Sequence, residues 1–161
     1  MKNYATKLVS LCIRNNININ LAESCTGGLI SSKLIDVEGV SKIFKFGVVS
    51  YSNDSKNVLL KVPKSILNEF GAVSKETASS MVEKLSKFKE VQFSMAVTGV
   101  AGPGGGTKSK PIGLVYHSFF YKKSKKKYVI KKKYKGDRNT IRNEAALFSI
   151  YQSYIILKSV I

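Results

Sequence analysis

The sequence is poor in the residues that build disulfide frameworks and most metal centres. Its 161 residues include two cysteines, Cys12 and Cys25, and one histidine, His117. Secreted disulfide scaffolds are denser in cysteine, and a structural zinc site needs about four cysteine or histidine ligands. Only ten residues are acidic, so carboxylates are also scarce. We therefore expect neither a disulfide framework nor a metal site.

Long apolar runs are missing as well. No segment approaches the roughly 18 to 20 consecutive apolar residues of a membrane-spanning helix, and residues 1–4 lack the apolar block of a secretion signal. These features predict a cytoplasmic protein with no membrane partner. A chain of 161 residues has the usual size of one domain and can bury roughly two-thirds of its unfolded surface. We expect residues 1–161 to form a single domain.

Negative charge is scarce relative to positive charge. Lysine and arginine total 27 against ten acidic residues, which gives a net charge of +17. Such a balance is typical of proteins that bind nucleic acid or an anionic membrane. However, lysine far outnumbers arginine, asparagine and isoleucine are abundant, and the lysines are spread along the chain apart from Lys122–Lys135, a pattern that compositional drift also produces. Without a helix-turn-helix, zinc or aromatic-platform motif, we expect weak nonspecific binding at low salt and no specific nucleic-acid partner.

Apolar periodicity and turn residues divide the chain into alternating helices and strands. The predicted strands are Ile17–Leu21, Phe44–Ser52, Phe93–Thr98, Ile112–Tyr121 and Lys127–Tyr134. The predicted helices cover Asn3–Asn15, Leu29–Ile35, a short segment capped by Asn53 or Asp54, Pro63–Gly71, a segment capped by Ser74 and a final segment capped by Asp137. This order predicts an α/β fold, a three-layer α/β/α sandwich with a mixed, mostly parallel sheet.

Two finer patterns accompany these elements. Apolar residues alternate with asparagine over 17–21, the period-two pattern of a strand. One side of the final helix is expected to face the core, and it carries Ile141, Ala145, Phe148 and Ile155.

In sheets of this kind, ligands bind where strand ends meet helix starts. Three polar or glycine-rich segments lie at such junctions.

The first junction places Ser24 between a strand and a helix. A nucleophile at a helix start benefits from the helix dipole and from free backbone N–H groups that can hold a developing oxyanion. The N–H groups available here are those of Cys25, Thr26, Gly27 and Gly28. The alternative is that Ser24 or Thr26 merely caps the helix. Cys25 is a rival nucleophile, but a cysteine hydrolase usually needs a histidine, and His117 lies in the middle of a strand.

The second junction offers a base for Ser24. A lysine held neutral can replace histidine, often with a tyrosine that relays protons. Tyr51 lies at the end of the second strand, and Lys56 falls in the first turn of the next helix, where the dipole disfavours a cation. Burial would lower the pKa of Lys56 further. The alternative is an exposed lysine without a role. Because Gly27 stands where a Ser-x-x-Lys motif has lysine, any Ser24–Lys56 pair must form between two segments.

A glycine-rich loop at the third junction follows the third strand. It contains Thr98, Gly99, Gly102, Gly104, Gly105, Gly106 and Thr107. Its exposed backbone N–H groups could bind a phosphate or a carboxamide. It is not a Walker loop, because Thr107 precedes Lys108 where that motif requires glycine. A flexible surface loop is the alternative.

Arg138 and Arg142 lie four residues apart on one face at the start of the final helix. Cations there oppose the helix dipole, so an anion is expected nearby. Asp137, Glu144 or a bound phosphate could supply it. Only three of the 27 basic residues are arginine, so this pair indicates a need for bidentate geometry.

Five segments together closely resemble the CinA C-terminal domain family, whose stand-alone members are nicotinamide-nucleotide amidohydrolases. The segments are 22–28, 48–53 with Lys56, 71–74, 97–107, and 136–138 with Arg142. The resemblance extends from about residue 3 to about residue 157. It implies an α/β/α sandwich, a homodimer and no required cofactor.

The resemblance also implies an activity, the hydrolysis of nicotinamide mononucleotide to nicotinic acid mononucleotide and ammonia, a step of pyridine-nucleotide salvage. In that pattern Ser24 matches the nucleophile, Lys56 the general base and Tyr51 the proton-relaying partner. Thr98, the glycine loop and the arginine-bearing helix match the substrate-binding region. Our own electrostatic argument assigns the substrate phosphate to Arg138 and Arg142.

Two departures and two alternatives accompany this prediction. The metal-dependent pyrophosphatase region of full-length relatives has no counterpart in the sequence, so we expect that activity not to carry over. The Lys122–Lys135 segment is unusually basic.

One alternative function is a catalytically silent protein that binds a nucleotide or a partner in competence or the DNA-damage response. The other is a nucleic-acid-binding module.

Overall fold

The computed structural model describes residues 4–161, which form five strands and six α-helices. The strands are β1 (Ile19–Glu23), β2 (Phe44–Val49), β3 (Phe93–Gly99), β4 (Leu114–Tyr121) and β5 (Lys126–Lys133). The helices are α1 (Tyr4–Arg14), α2 (Leu29–Ile35), α3 (Asn53–Leu60), α4 (Lys64–Phe70), α5 (Lys75–Leu85) and α6 (Arg138–Val160), and a short 3-10 helix covers Val40–Lys42. Asn3, the predicted start of the first helix, lies outside the described residues.

The strands form one mixed sheet with the order β2-β1-β3-β4-β5. β1 pairs in parallel with β2 and with β3, while β4 is antiparallel to both β3 and β5. Every strand except β4 therefore runs in the same direction. Helices cover both faces of the sheet, α1, α2 and α6 on one side and α3, α4 and α5 on the other. The predicted three-layer sandwich with a mixed, mostly parallel sheet is confirmed.

The two helical layers bury separate apolar clusters against the sheet. On the α1, α2 and α6 side, the stacked rings of Phe93 and Phe119 lie 6.2 Å apart between centroids. On the other side, α5 packs Met81 and Leu85 against Ala96 of β3. The burial of such side chains is the main favourable term in folding, about 1.5 to 3 kcal/mol for each large one.

Side-chain caps fix where the site-bearing helices begin. Ser74 accepts a hydrogen bond from the Thr77 N–H, and Asp137 accepts one from the Thr140 N–H, so both predicted caps are confirmed. The prediction for α3 is wrong, because Ser52 rather than Asn53 or Asp54 is its cap. β2 ends at Val49, earlier than predicted, which leaves Ser52 extended just before the first helical residue.

Two further details differ from the sequence patterns. β1 is buried on both faces, and its Asn20 donates a hydrogen bond from Nδ2 to the Leu85 carbonyl, because helices cover the sheet on both sides. Ile155 of α6 is exposed rather than in the core. At about 100° per residue, the buried face of α6 is centred near Ser149, Ser153 and Ile156, and Phe148 and Ile155 both lie at the edge of that face. Ile156 is the residue that the core buries.

None of the helices within residues 4–161 is both long and apolar enough to cross a membrane. The same residues contain no group of three or more histidine, cysteine, aspartate or glutamate side chains arranged to hold a metal ion.

Candidate active site

The site forms where the carboxyl ends of β1, β2 and β3 meet the helices that follow them. Ser24 directly follows β1, and its N–H donates to the Val97 carbonyl of β3 at 3.0 Å. Lys56 belongs to α3, which follows β2. Because β1 and β2 are parallel neighbours, these two residues come together from separate segments. Nζ of Lys56 lies 2.9 Å from Oγ of Ser24.

Lys56 is fully buried. Nζ has two polar neighbours among residues 4–161, the Ser24 hydroxyl and the Ser50 carbonyl, which lies 2.7 Å away. In the part of the chain that the structure describes, no carboxylate pairs with it. Burial disfavours the ammonium form and lowers the pKa of Lys56 to about 8. A neutral amine fits these neighbours well, since one N–H can be donated to the Ser50 carbonyl while the nitrogen lone pair accepts the Ser24 hydroxyl proton.

Glu23 holds the turn that carries Ser24. Its buried carboxylate accepts hydrogen bonds from the N–H groups of Gly28, Ile30 and Ser31 at 2.8–3.0 Å, and from the Ser31 hydroxyl at 2.8 Å. It therefore satisfies the free donors at the start of α2 and places a negative charge at the positive end of the helix dipole. Neither Ser24 nor Thr26 serves as this cap. The sequence analysis assigned Glu23 no role, although it is a lone acid at the end of an apolar strand.

The turn leaves few backbone donors for a ligand. The Gly27 N–H donates to the Ser24 carbonyl, and the Gly28 N–H donates to Glu23. Within residues 4–161 the N–H groups of Cys25 and Thr26 have no acceptor. Of the four N–H groups that the sequence suggested as oxyanion donors, these two are the ones that the described chain leaves without an acceptor.

Arg142 braces the same turn from α6. Its Nε donates to the Cys25 carbonyl at 3.1 Å and its Nη2 to the Thr26 carbonyl at 2.9 Å. A Cβ at Gly27, which has a φ of +59°, would lie 3.1 Å from that Nη2. Arg142 thus donates to two backbone carbonyls next to Ser24, and Gly27 leaves room for the guanidinium to approach.

Arg138 joins two walls of the site. Its Nη2 donates to the Tyr51 hydroxyl at 2.8 Å and its Nη1 to the Gly102 carbonyl at 2.7 Å. Tyr51 is 61% exposed, and no hydrogen bond links its hydroxyl directly to Ser24 or Lys56 in the described chain. The two arginines therefore contact different parts of the site, although they lie on one face of α6.

A cavity of about 260 Å³ opens beside Ser24. The predicted site residues that line it are Ser24, Cys25, Tyr51, Thr98, Gly99, Gly102, Gly104, Gly105 and Arg138. The predicted residues outside its lining are Lys56, Thr26, Gly27, Gly28, Gly106, Thr107 and Arg142. Lys56 connects to the cavity through its hydrogen bond to Ser24. A buried amine in contact with a hydroxyl that lines a small cavity can activate that hydroxyl as an oxygen nucleophile.

A family model described as the CinA C-terminal domain matches residues 1–154. The chain belongs to the CinA C-terminal domain family. It is 46% identical over 143 residues to a CinA-like protein of Kosmotoga olearia, and 47% identical over 141 residues to a CinA-like protein of Fusobacterium nucleatum. These alignments cover 89% and 88% of the chain but 34% of each relative. The chain thus spans about a third of the length of the curated relatives it matches.

Solved structures of CinA-type proteins share the fold over nearly their whole length. The competence/damage inducible protein of Agrobacterium tumefaciens is 33% identical, with a TM-score of 0.92 and coverage of 98% of this chain and 94% of that one. The competence or damage-inducible protein of Enterobacter asburiae is 27% identical, with a TM-score of 0.91 and coverage of 97% of both chains.

The loop glycines of this CinA domain have two different surroundings. A Cβ at Gly102 or at Gly106 would lie 2.8 Å from the Ile112 side chain. Both positions therefore need glycine to make room for Ile112. A Cβ at Gly104 or at Gly105 would meet nothing within 4 Å. Gly104 and Gly105 therefore face open space at the cavity, where a ligand can approach the backbone.

Part of the cavity wall is formed by residues that were not predicted to belong to the site. Ala72 and Val73, between α4 and α5, line the cavity. The Thr98 hydroxyl donates to the Ala72 carbonyl at 2.7 Å, which ties this wall to β3. The side chain of Lys110 also donates to the Phe70 carbonyl. Small apolar side chains carry no chemistry of their own, so only the motif over 71–74 could have indicated this wall.

Cys25 and His117, the alternatives to Ser24 and Lys56, lie in surroundings that do not favour reactivity. Burial raises the pKa of the Cys25 thiol to about 12, so it is not a thiolate at neutral pH. His117 is buried in β4, where Nδ1 lies 2.8 Å from the Ser149 hydroxyl and Nε2 lies 3.0 Å from the Tyr134 hydroxyl. Burial lowers its pKa to about 3, and it does not line the cavity. Ser24 and Lys56 are therefore the candidate nucleophile and base that lie in contact beside the cavity.

Proposed function

We propose that this CinA domain hydrolyses the carboxamide of nicotinamide mononucleotide to give nicotinic acid mononucleotide and ammonia. The observation that carries the proposal is the 2.9 Å contact between Lys56 Nζ and Ser24 Oγ beside the cavity. The contact joins a hydroxyl to a buried amine whose lowered pKa makes it a usable base. At pH 7 roughly a tenth of Lys56 would be uncharged.

The first half of the reaction forms an ester on Ser24. Lys56 accepts the Ser24 proton as Oγ attacks the carboxamide carbon, and the carbonyl oxygen becomes an oxyanion. The free N–H groups of Cys25 and Thr26 are the donors that we assign to that oxyanion, each worth about 3 to 4 kcal/mol in the transition state. The C–N bond then breaks, and the proton held by Lys56 passes to the leaving nitrogen, so that ammonia departs.

The second half consumes water. Lys56, uncharged again, takes a proton from a water molecule that attacks the ester carbon, and Ser24 leaves with that proton. The products are the carboxylic acid and the original Ser24–Lys56 pair. Tyr51 is proposed to relay protons near this pair, which requires its hydroxyl to give up its present bond from Arg138.

The proposed substrate position follows from the charges around the cavity. Arg138 lines the cavity and can turn its two donors from Tyr51 and Gly102 to a phosphate. The open backbone of Gly104 and Gly105 offers further N–H groups. Because Arg142 already donates to the carbonyls of the turn that carries Ser24, we assign it a positioning role rather than the main phosphate contact. We retain the cytoplasmic location, the homodimer and the single domain over 1–161 as parts of the proposal.

The alternative is a silent protein in competence or the damage response, the terms used in the names of the solved relatives. The intact Ser24–Lys56 pair favours catalysis, because a buried lysine with no carboxylate partner in the described chain costs stability, and a catalytic role explains why such a costly residue is present. An ammonia-release assay on nicotinamide mononucleotide, with wild type and Ser24→Ala side by side, tests the proposal. We expect release by wild type and none by a folded Ser24→Ala. No release by wild type, or equal release by both proteins, overturns it.

A further inference from the structure

The hairpin between β4 and β5 concentrates the positive charge of the molecule. The segment Lys122–Lys135 contains nine lysines and no acidic residue in 14 positions. It therefore carries more than half of the net charge of +17. A uniform compositional drift would spread lysines in proportion to length, and it does not account for this concentration.

Three of these nine lysines have partners within the fold. Lys122 donates to the Phe88 carbonyl at 3.1 Å, and Lys127 pairs with Glu83 of α5. Nζ of Lys132 lies 4.1 Å from the centroid of the Phe148 ring, a cation–π contact. These three lysines help to hold the hairpin against its neighbours.

The remaining six lysines are exposed, and the described chain gives none of them a side-chain partner. They are Lys123, Lys125, Lys126, Lys131, Lys133 and Lys135. β5 is an edge strand, so nothing in residues 4–161 lies beyond it in the sheet. At about 3.3 Å per residue, the distance along β5 from Lys126 to Lys133 is about 23 Å. We call these six side chains the lysine edge.

We propose that the lysine edge is a docking surface for double-stranded nucleic acid, bound through its phosphates without sequence preference. A duplex carries one negative charge for every ~1.7 Å of its axis, so closely spaced free cations along the edge of the sheet match its charge, and their binding releases its counterions. This inference is independent of the proposed amide hydrolysis, since none of the six lysines lines the cavity.

Two other polyanionic partners fit the surface less well. Anionic membranes are bound most firmly by surfaces that add apolar insertion to charge, and no large hydrophobic residue within 122–135 is exposed. Single strands are bound by stacking bases on exposed aromatic rings, and the aromatic residues of the hairpin, Tyr128 and Tyr134, are half-buried and buried. A rigid duplex needs neither feature.

The test compares two variants with the same net charge. In the edge variant, Lys126, Lys131, Lys133 and Lys135 are each changed to Gln. In the control variant, four exposed lysines elsewhere, Lys42, Lys64, Lys75 and Lys87, are changed to Gln. Fluorescence anisotropy measures the binding of wild type and both variants to a labelled 20-base-pair DNA duplex between 50 and 300 mM salt. Thermal melting followed by circular dichroism checks that all three proteins are folded.

We expect the edge variant to lose at least tenfold in affinity at 100 mM salt, and the control variant to lose much less. The slope of log K against log salt should fall by about three to four in the edge variant, since each lost phosphate contact contributes about 0.9. Equal losses in the two variants would make the binding a property of total charge and overturn the proposal. Tighter binding to anionic phosphatidylserine vesicles than to the duplex, lost in the edge variant, would also overturn it.

Discussion

Lys56 Nζ lies 2.9 Å from Ser24 Oγ although the two residues are 32 positions apart in the chain. The parallel pairing of β1 with β2 brings their carboxyl ends together, and the helix after β2 carries Lys56 back over Ser24. The Ser50 carbonyl holds the amine from the other side. The contact is therefore a consequence of strand order.

The activity should depend on pH through Lys56. Because only its uncharged form accepts the Ser24 proton, kcat/KM should rise with pH and level off above the pKa of about 8. A pH–rate profile for ammonia release from pH 6 to 10 measures this directly. A profile that is flat over that range would show that Lys56 is not the titrating base.

The same pKa shift predicts how Lys56 affects stability. Its pKa falls from about 10.5 to about 8 on folding, so between these values the unfolded chain binds more protons and stability rises with pH. Below pH 8 the full cost of burying the ammonium remains. Lys56→Met should therefore be inactive yet more stable than wild type at pH 7, by a margin that narrows towards pH 10. Urea denaturation at several pH values tests this, and a margin independent of pH would contradict it.

The two arginines should separate in their effects on substrates. Arg138→Ala should weaken use of nicotinamide mononucleotide at least tenfold, and should affect the dephosphorylated riboside far less, because the phosphate is its proposed partner. Arg142→Ala is the matched control. It should lower kcat for both substrates alike, since Arg142 holds the Cys25 and Thr26 carbonyls. Steady-state kinetics with the two substrates measures these effects. If Arg138→Ala lowered kcat/KM equally for the nucleotide and for the riboside, Arg138 would have no phosphate role.

The glycine loop offers a similar pair of variants. Gly104→Ala meets no protein atom within 4 Å, so it should keep full stability and lose activity if substrate approaches that backbone. Gly106→Ala collides with Ile112 and should cost about 1 to 3 kcal/mol of stability, part of which Ile112→Ala restores. Denaturation and ammonia release are measured on both. Full activity in Gly104→Ala would place the substrate elsewhere in the cavity.

Glu23 should be needed for the fold of the turn that carries Ser24. Glu23→Gln loses charge-assisted bonds to three N–H groups and should cost about 3 kcal/mol or more, since each such bond is worth about 1.5 to 3 kcal/mol. Ser31→Ala removes only the bond from the Ser31 hydroxyl and should cost about 1 kcal/mol. Chemical denaturation measures both. Similar losses in the two variants would contradict the bracing role of the Glu23 carboxylate.

The sequence predicted the fold better than the fine arrangement of the site. Helix caps such as Ser74 and Asp137 are local signals, and they were confirmed, as was the order of elements that leads to the sandwich. The α3 cap was wrong because the end of β2 depends on its pairing with β1, and periodicity alone does not mark that end.

Within the site, roles that depend on tertiary contacts could not be predicted. The spacing of Arg138 and Arg142 indicated one shared anion. In the structure, however, Arg138 contacts the Tyr51 hydroxyl, whereas Arg142, one turn later on α6, contacts the Cys25 carbonyl. No capping role was predicted for Glu23, because a residue at the end of a strand can cap the next helix only when the chain turns back sharply between them. The glycine loop gave no means of separating Gly104, which faces open space, from Gly106, which packs on Ile112.

The most direct test of the Ser24–Lys56 pair is a double-mutant cycle on ammonia release from nicotinamide mononucleotide. Ser24→Ala, Lys56→Ala and the double variant are compared with wild type at pH 8.5, with circular dichroism as the folding control. Residues that act as one unit are strongly non-additive, so we predict that all three variants fall to the same residual rate. Losses that multiply in the double variant, or a Lys56→Ala protein with wild-type kcat, would contradict the account.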